Sequence, residues 1–384
     1  MIQISDFPIW FEDLLTIPEI SRLSGIRFHG TLTIHSVNNK VSSRLDHSID
    51  VAKLAYYIGN KIGFPKEQQS ALILLSMLHD VGHLPFSHIL EPFYRYNLRF
   101  YHEGITSLII RSLIKKNEIQ KIVGITPTNI ALSVLNGDKR FPLMEEFLFG
   151  LFSVDMIDGI HRAALPIGDA SLEYNPWELC ESFLILGNDL YIKESSLSLI
   201  IHFRNVRKCL YKKYIESPEA KALAAMLTRA VELSFPYGVK VNELPKMKDS
   251  DLQNLMLADP NARQICAWIS QKKLYSFYGD KNDAEEEERQ NIGKQFEFNP
   301  TLAALVFEFT HIFSENNQTE FQLSLFPIDN NKVIHISELR QTLNFKRQLL
   351  LNPKWYFPGK QLLNTECFEF DINHLMNKNN FLWW

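Results

Sequence analysis

EQQSALILLSMLHDVGHLPFSH, residues 67–88, falls into two parts. Residues 67–79 are apolar almost all round, the mark of a helix buried at the centre of a fold rather than one lying on its surface. Gly82 and Pro85 then break the pattern. His79 and Asp80 are therefore expected at the C-terminal end of a buried helix, facing the loop HDVGHLPFSH.

Upstream, Val51, Leu54, Ala55 and Ile58 recur at helical spacing. Downstream, Ile105, Leu108, Ile109 and Leu113 do the same, and residues 142–163 read as one further helix with Asp155, Asp158 and Arg162 near one face. FLILGNDLYI (183–192) reads as a β-hairpin turning at Gly187-Asn188, followed by helices over about 197–215 and 219–234. DSDLQNLML and NARQICAWI form two shorter helices separated by Asp259-Pro260. The acidic run DKNDAEEEERQ (280–290) suggests a boundary. The expected organisation is a mainly α bundle over residues 1–280 with a small β-hairpin, a charged linker at 281–295, and an α+β extension of open role at 296–384. That extension contains FQLSLF, KVIHI and a terminal FLWW.

A hydrophobic share of 46% over 384 residues supports a sizeable core. With 40 basic and 44 acidic residues the net charge is only -4, so no global field draws the chain to nucleic acid or anionic membrane. Cys180, Cys209, Cys266 and Cys367 lie far apart and read as reduced and structural. The N-terminus lacks a basic region before an apolar stretch, and no run approaches a membrane span, so a cytoplasmic protein without membrane contact is expected.

His47, His79, His83, His88 and His102 crowd into the first third of the chain. Imidazole and carboxylate together suit a divalent ion and leave positions for water and phosphate oxygens. A lone His-Asp pair is weak evidence, but its surroundings resemble the HD superfamily. That family's pattern is an isolated His, an HD pair some thirty residues on, and a distant Asp; His47, His79-Asp80 and Asp155 fit it. Ser43–Ser48 (SRLDHS) and the ten-residue HDVGHLPFSH narrow the resemblance to the branch of the deoxynucleoside triphosphate triphosphohydrolases. Tyr101-His102-Glu103 and Asp155–Arg162 are similar to further motifs of that branch. The similarity spans about residues 10–280.

The resemblance implies a helical HD-domain bundle with His47, His79, Asp80 and Asp155 holding a divalent metal, for which Mn, Mg, Fe, Ni, Co and Zn are not distinguished. Asp80 also orients water, His102 supplies a proton to the leaving group, and Glu103 fixes its tautomer. His83 and His88 line the phosphate pocket or support the ligands. Arg44 and Arg162 contact phosphate, the plainer alternatives being ion pairs with Asp46 or Asp50 and with Asp158; for His102 the alternative is a helix cap. Asp158 is read as architectural. Three positions where the family reads the sugar carry Phe28, Gly159 and Ala163, which have no polar group to offer. The expected activity is hydrolysis of a (deoxy)nucleoside triphosphate to deoxynucleoside plus tripolyphosphate. The alternatives are an HD phosphodiesterase or nuclease, with single-stranded nucleic acid as partner, and a nucleotide-binding regulatory protein without turnover. A homo-oligomer is expected from the family.

Overall fold

The computed structural model describes residues 6–37, 42–150, 152–187, 189–280, 285–296, 299–313, 333–335 and 347–358. Helices dominate. The central one, Lys66–Leu78, buries Ala71, Leu72, Ile73, Leu74, Leu75, Met77 and Leu78, none more than 2% exposed, so it has no solvent face over its last two turns. Each of the Leu, Ile and Met side chains contributes about 1.5–3 kcal/mol on burial. The Arg44–Ile62 helix packs along it. Ser43 starts that helix with a capping box: its hydroxyl accepts from the Asp46 amide, and the Asp46 carboxylate accepts from the Ser43 amide. Gly63 ends it in a left-handed conformation.

Around this pair lie His102–Lys115, Glu118–Val123, Ile125–Leu135, Pro142–Phe149 and Val154–Ala164. The single helix expected over 142–163 is in fact two. The chain leaves helical geometry at Gly150, and Ser153 starts a new helix by accepting a hydrogen bond from the Met156 amide. The new start puts Asp155 in a first turn, at the positive end of the helix dipole.

Strands β1 (Phe183–Leu186) and β2 (Asp189–Lys193) form the expected antiparallel hairpin; Asn188 of its turn lies outside the described residues. The Leu197–Leu210 helix follows and runs into a wider turn over Tyr211–Ile215, where the Glu216 amide reaches back to the Tyr211 carbonyl. Pro218–Ser234, Asp249–Met256 and Pro260–Ser270 complete the helical part, Asp259 capping the last through the Ala262 amide. Strand β3 (Ser276–Asp280) then precedes a Glu285–Phe296 helix, β4 (Ala304–Phe313), β5 (Val333–His335) and β6 (Arg347–Phe357). Among the described residues two antiparallel sheets result, β1-β2-β5 and β3-β6-β4. FQLSLF, the FLWW tail and Cys367 lie outside the described residues.

Two apolar cores meet at the loop after the central helix. Val81 closes the first, built on the Arg44–Ile62 and Lys66–Leu78 helices. Leu84, Phe86, Ile89 and Leu90 open the second, which they share with the Pro218–Ser234 and Pro260–Ser270 helices. The polar residues His79, Asp80 and His83 therefore emerge at the seam.

Candidate metal centre and cleft

His47 sits one turn into its helix with no exposed surface, and His79 and Asp80 follow the central helix. Their reacting atoms converge. His47 Nε2 lies 3.2 Å from His79 Nε2, 3.0 Å from Asp155 Oδ1 and 3.7 Å from Asp80 Oδ2; His79 Nε2 lies 3.4 Å from Asp80 Oδ1 and 3.5 Å from Asp155 Oδ1. Ligands about 2.1 Å from a shared ion, at right angles to one another, stand about 3 Å apart. The donor set has that spacing.

The second nitrogen of each ring is engaged behind the centre. His47 Nδ1 donates to Asp158 Oδ2 at 2.6 Å, and His79 Nδ1 donates to the Ser76 carbonyl at 2.7 Å. In the neutral rings each Nε2 then carries a lone pair, and two lone pairs face one another beside two carboxylates. A cation or a proton between them balances such an arrangement. Burial opposes charge on His79, yet Asp80 and Asp155 outweigh it and raise its pKa to about 9, so the centre attracts a proton where no ion competes. His47, His79, Asp80 and Asp155 are thus the residues that could hold a divalent cation.

The residues behind the centre are tightly paired. Arg162 donates to Asp158 (2.9 Å), to Asp50 (2.6 Å) and to the Asp46 carbonyl. It stands behind His47 and outside the cleft lining, so the structure places it as support for the Asp158–His47 pair rather than at a phosphate. Arg44 is 2% exposed and donates to Asp80 Oδ2 (2.7 Å), Ser87 Oγ (2.7 Å) and the Phe28 carbonyl (3.0 Å). Its carboxylate partner is Asp80, not Asp46 or Asp50. Burial would raise the Asp80 pKa, but His79, Arg44 and His83 hold it well below the ordinary carboxylate range.

His83, His88 and His102 form a second group. The His83 and His102 rings stack at 4.1 Å and 12°, with His88 edge-on to both. His83 Nε2 lies 3.3 Å from Asp80 Oδ1 in poor hydrogen-bond alignment. Glu91, which the sequence reading overlooked, joins the other two: His102 Nδ1 meets its Oε1 and His88 Nδ1 its Oε2, each at 2.7 Å. Glu103, expected to orient His102, is 3.5 Å away, mostly exposed, and nearer solvent. The i,i+3 spacing of His88 and Glu91 was the available signal. Burial works against a charged His102, but the Glu91 hydrogen bond and charge outweigh it and raise the pKa.

Two buried groups hold the loop between these clusters. Arg22 donates to the Val81 and His83 carbonyls and to that of Met247. Asp249 accepts from the Phe86 and Arg27 amides. Phe86 and Ser87 are both left-handed, at φ 60° and 52°, a strained pair that needs such support. Gly82 lets the loop touch the next helix: a Cβ there would lie 2.3 Å from the His102 carbonyl oxygen and the Thr106 amide nitrogen.

The centre opens into a cleft of about 410 Å³. It is lined by Arg44, Asp80, His83, His88, His102 and Asp155, by the apolar Phe28, Gly159, Ile160 and Ala163, and by Arg207, Tyr211 and Lys221. Phe28 lies 4.4 Å from the His47 ring and under the Arg44 guanidinium. Its tip would be 3.4 Å from a Cβ at Gly159, so the large residue fills the space the small one leaves.

Residues 44–130 match the family model of the HD domain, a span that contains His47, His79, Asp80 and His102. The uncharacterized protein YwfO of Bacillus subtilis is 23% identical over 236 residues, 59% of this chain and 52% of its own. The deoxynucleoside triphosphate triphosphohydrolase SAMHD1 of Bos taurus is 22% identical over 298 residues, 62% of this chain and 51% of its own. The chain thus spans about half the length of these curated relatives. A phosphohydrolase of Bacteroides thetaiotaomicron shares the fold with a TM-score of 0.64 at 14% identity, over 90% of this chain and 94% of that one. The segment that matches the HD-domain model thus carries three of the four convergent ligand candidates, on a fold shared with that phosphohydrolase.

Proposed function

We propose that this chain hydrolyses (deoxy)nucleoside triphosphates, releasing the nucleoside and tripolyphosphate. The observation that carries the reading is the convergence of two imidazoles and two carboxylates on a cleft of about 410 Å³. A divalent ion held by His47, His79, Asp80 and Asp155 supplies Lewis-acid polarisation of phosphate and a lowered pKa for water. The likeness to a triphosphohydrolase supports the nucleotide assignment.

The chain's own groups divide the remaining work. Arg44 keeps Asp80 ionised and aimed, so its carboxylate can orient the attacking water. Water adds to the phosphorus bonded to the sugar oxygen, and the P–O bond to the sugar breaks. The leaving oxygen takes a proton from His102, which Glu91 keeps protonated above the ordinary histidine pKa. His83 and His88 lie beside His102 and bound the space for the phosphate oxygens.

The test is incubation of purified, metal-loaded protein with separate pools of dNTPs, NTPs, cyclic dinucleotides and short single-stranded oligonucleotides, alongside His79→Ala/Asp80→Ala. Deoxynucleoside plus tripolyphosphate, absent with the double variant, is the expected result. Cleavage confined to diesters replaces this reading with a phosphodiesterase. Nucleotide binding with no turnover under any metal replaces it with a regulatory protein.

A further inference from the structure

A line of alternating charges connects His47 to the surface of the molecule. Its Nδ1 donates to Asp158 Oδ2 at 2.6 Å, and Arg162 Nε donates to that same oxygen at 2.9 Å. Arg162 Nη2 in turn donates to Asp50 Oδ2 at 2.6 Å, and Lys53 Nζ donates to Asp50 Oδ1 at 2.7 Å. Asp158 and Arg162 are buried, whereas the Asp50 side chain is 41% exposed. The line starts at a candidate metal ligand and ends in solvent. His47, Asp50 and Lys53 follow one another at intervals of three on the Arg44–Ile62 helix, so they share a face.

Asp158 Oδ2 is where the two halves of the line compete. A carboxylate that accepts the N–H of an imidazole makes the far ring nitrogen more basic and a better ligand. Arg162 draws on the same oxygen, and a guanidinium with no second anion draws on it more strongly. Asp50 is that second anion. The Asp46 carbonyl, 3.1 Å from Nη2, holds the guanidinium in place but brings no net charge. Lys53 works the other way, since it takes the remaining oxygen of Asp50 and so loosens the hold of Asp50 on Arg162.

We propose that Asp50 is a positioning residue for the metal centre: by sharing Arg162, it leaves Asp158 free to hold His47 as a ligand. The proposal rests on the metal-binding part of the reading above and adds a residue that lies outside both the donor set and the cleft lining.

The experiment titrates manganese into the chelator-treated full chain by calorimetry, with circular dichroism as the check on folding. It compares wild type, Asp50→Asn, Asp50→Glu and Lys53→Met, each also in an Asp158→Ala background. Asp50→Asn is expected to weaken binding about 3- to 10-fold, less than the loss of Asp158 itself, and Asp50→Glu, which keeps the charge, recovers part of it. Lys53→Met is expected to tighten binding about twofold. Both effects vanish once Asp158 is gone, because the line is then cut; a field acting through space would persist there. Unchanged binding in Asp50→Asn overturns the proposal, as does an equal loss with and without Asp158, or a loss in Lys53→Met matching that in Asp50→Asn. Manganese binding undiminished in His79→Ala/Asp80→Ala overturns the metal reading and this proposal with it. Binding that needs those ligands yet ignores Asp50 overturns this proposal alone.

Discussion

At the scale of single residues, the site depends on how each imidazole disposes of its second nitrogen. Asp158 has no place among the converging donors, yet it sets the tautomer of His47. Asp158→Ala is expected to weaken metal affinity about 10- to 100-fold, by calorimetry, with the helical circular dichroism unchanged. Glu91 acts on His102 in the same way. Removing its charge in Glu91→Gln leaves the burial that lowers the His102 pKa and deletes the interaction that raises it. The imidazole should then titrate lower by NMR, and the alkaline limb of the activity profile, where the acid loses its proton, should shift to lower pH; an unmoved limb removes His102 from the role of acid. The candidate ligands and His102 were legible because their residue types and spacing are distinctive. Glu91 was not, since an acid three residues after a histidine is ordinary until the fold brings a second histidine to it.

At the scale of elements, the loop after the central helix is a strained segment held from both sides. Its two left-handed residues are stable only because Asp249 takes the Phe86 amide and Arg22 takes two loop carbonyls. Asp249→Ala strands a buried N–H and should cost about 1–3 kcal/mol in denaturant unfolding. Gly82→Ala, which meets backbone rather than a movable side chain, should perturb activity as well, because it pushes the loop from the helix that carries His102. The helices themselves were readable from periodicity. The break at Gly150–Ser153 was not: the apolar pattern runs through it, and a cap that shows only as one serine hydroxyl decides the boundary. Partners such as Asp249, far along the chain from the loop they support, have no local signature at all.

At the scale of the whole molecule, the metal couples chemistry to stability. An ion that binds only the folded state at 100 times its Kd adds about 2.7 kcal/mol. Chelation should therefore lower the melting temperature of wild type and leave His79→Ala/Asp80→Ala unmoved; equal shifts in both would place the ion elsewhere. The bundle was legible in the first two-thirds of the sequence, whereas the pairing of distant strands was not, because β-strand partners are chosen by tertiary context. One such pairing has a practical side. Strand β5 lies against the open side of β2, matching Val333–His335 with Tyr191–Lys193 across roughly 140 residues of chain. A chain cut after residue 330 keeps every candidate metal ligand but loses β5 and β6, leaving β2, β3 and β4 with bare edges, rows of unanswered N–H and C=O groups that recruit other chains. Such a fragment should scatter light increasingly with concentration, making strands β5 and β6 together a guard against aggregation.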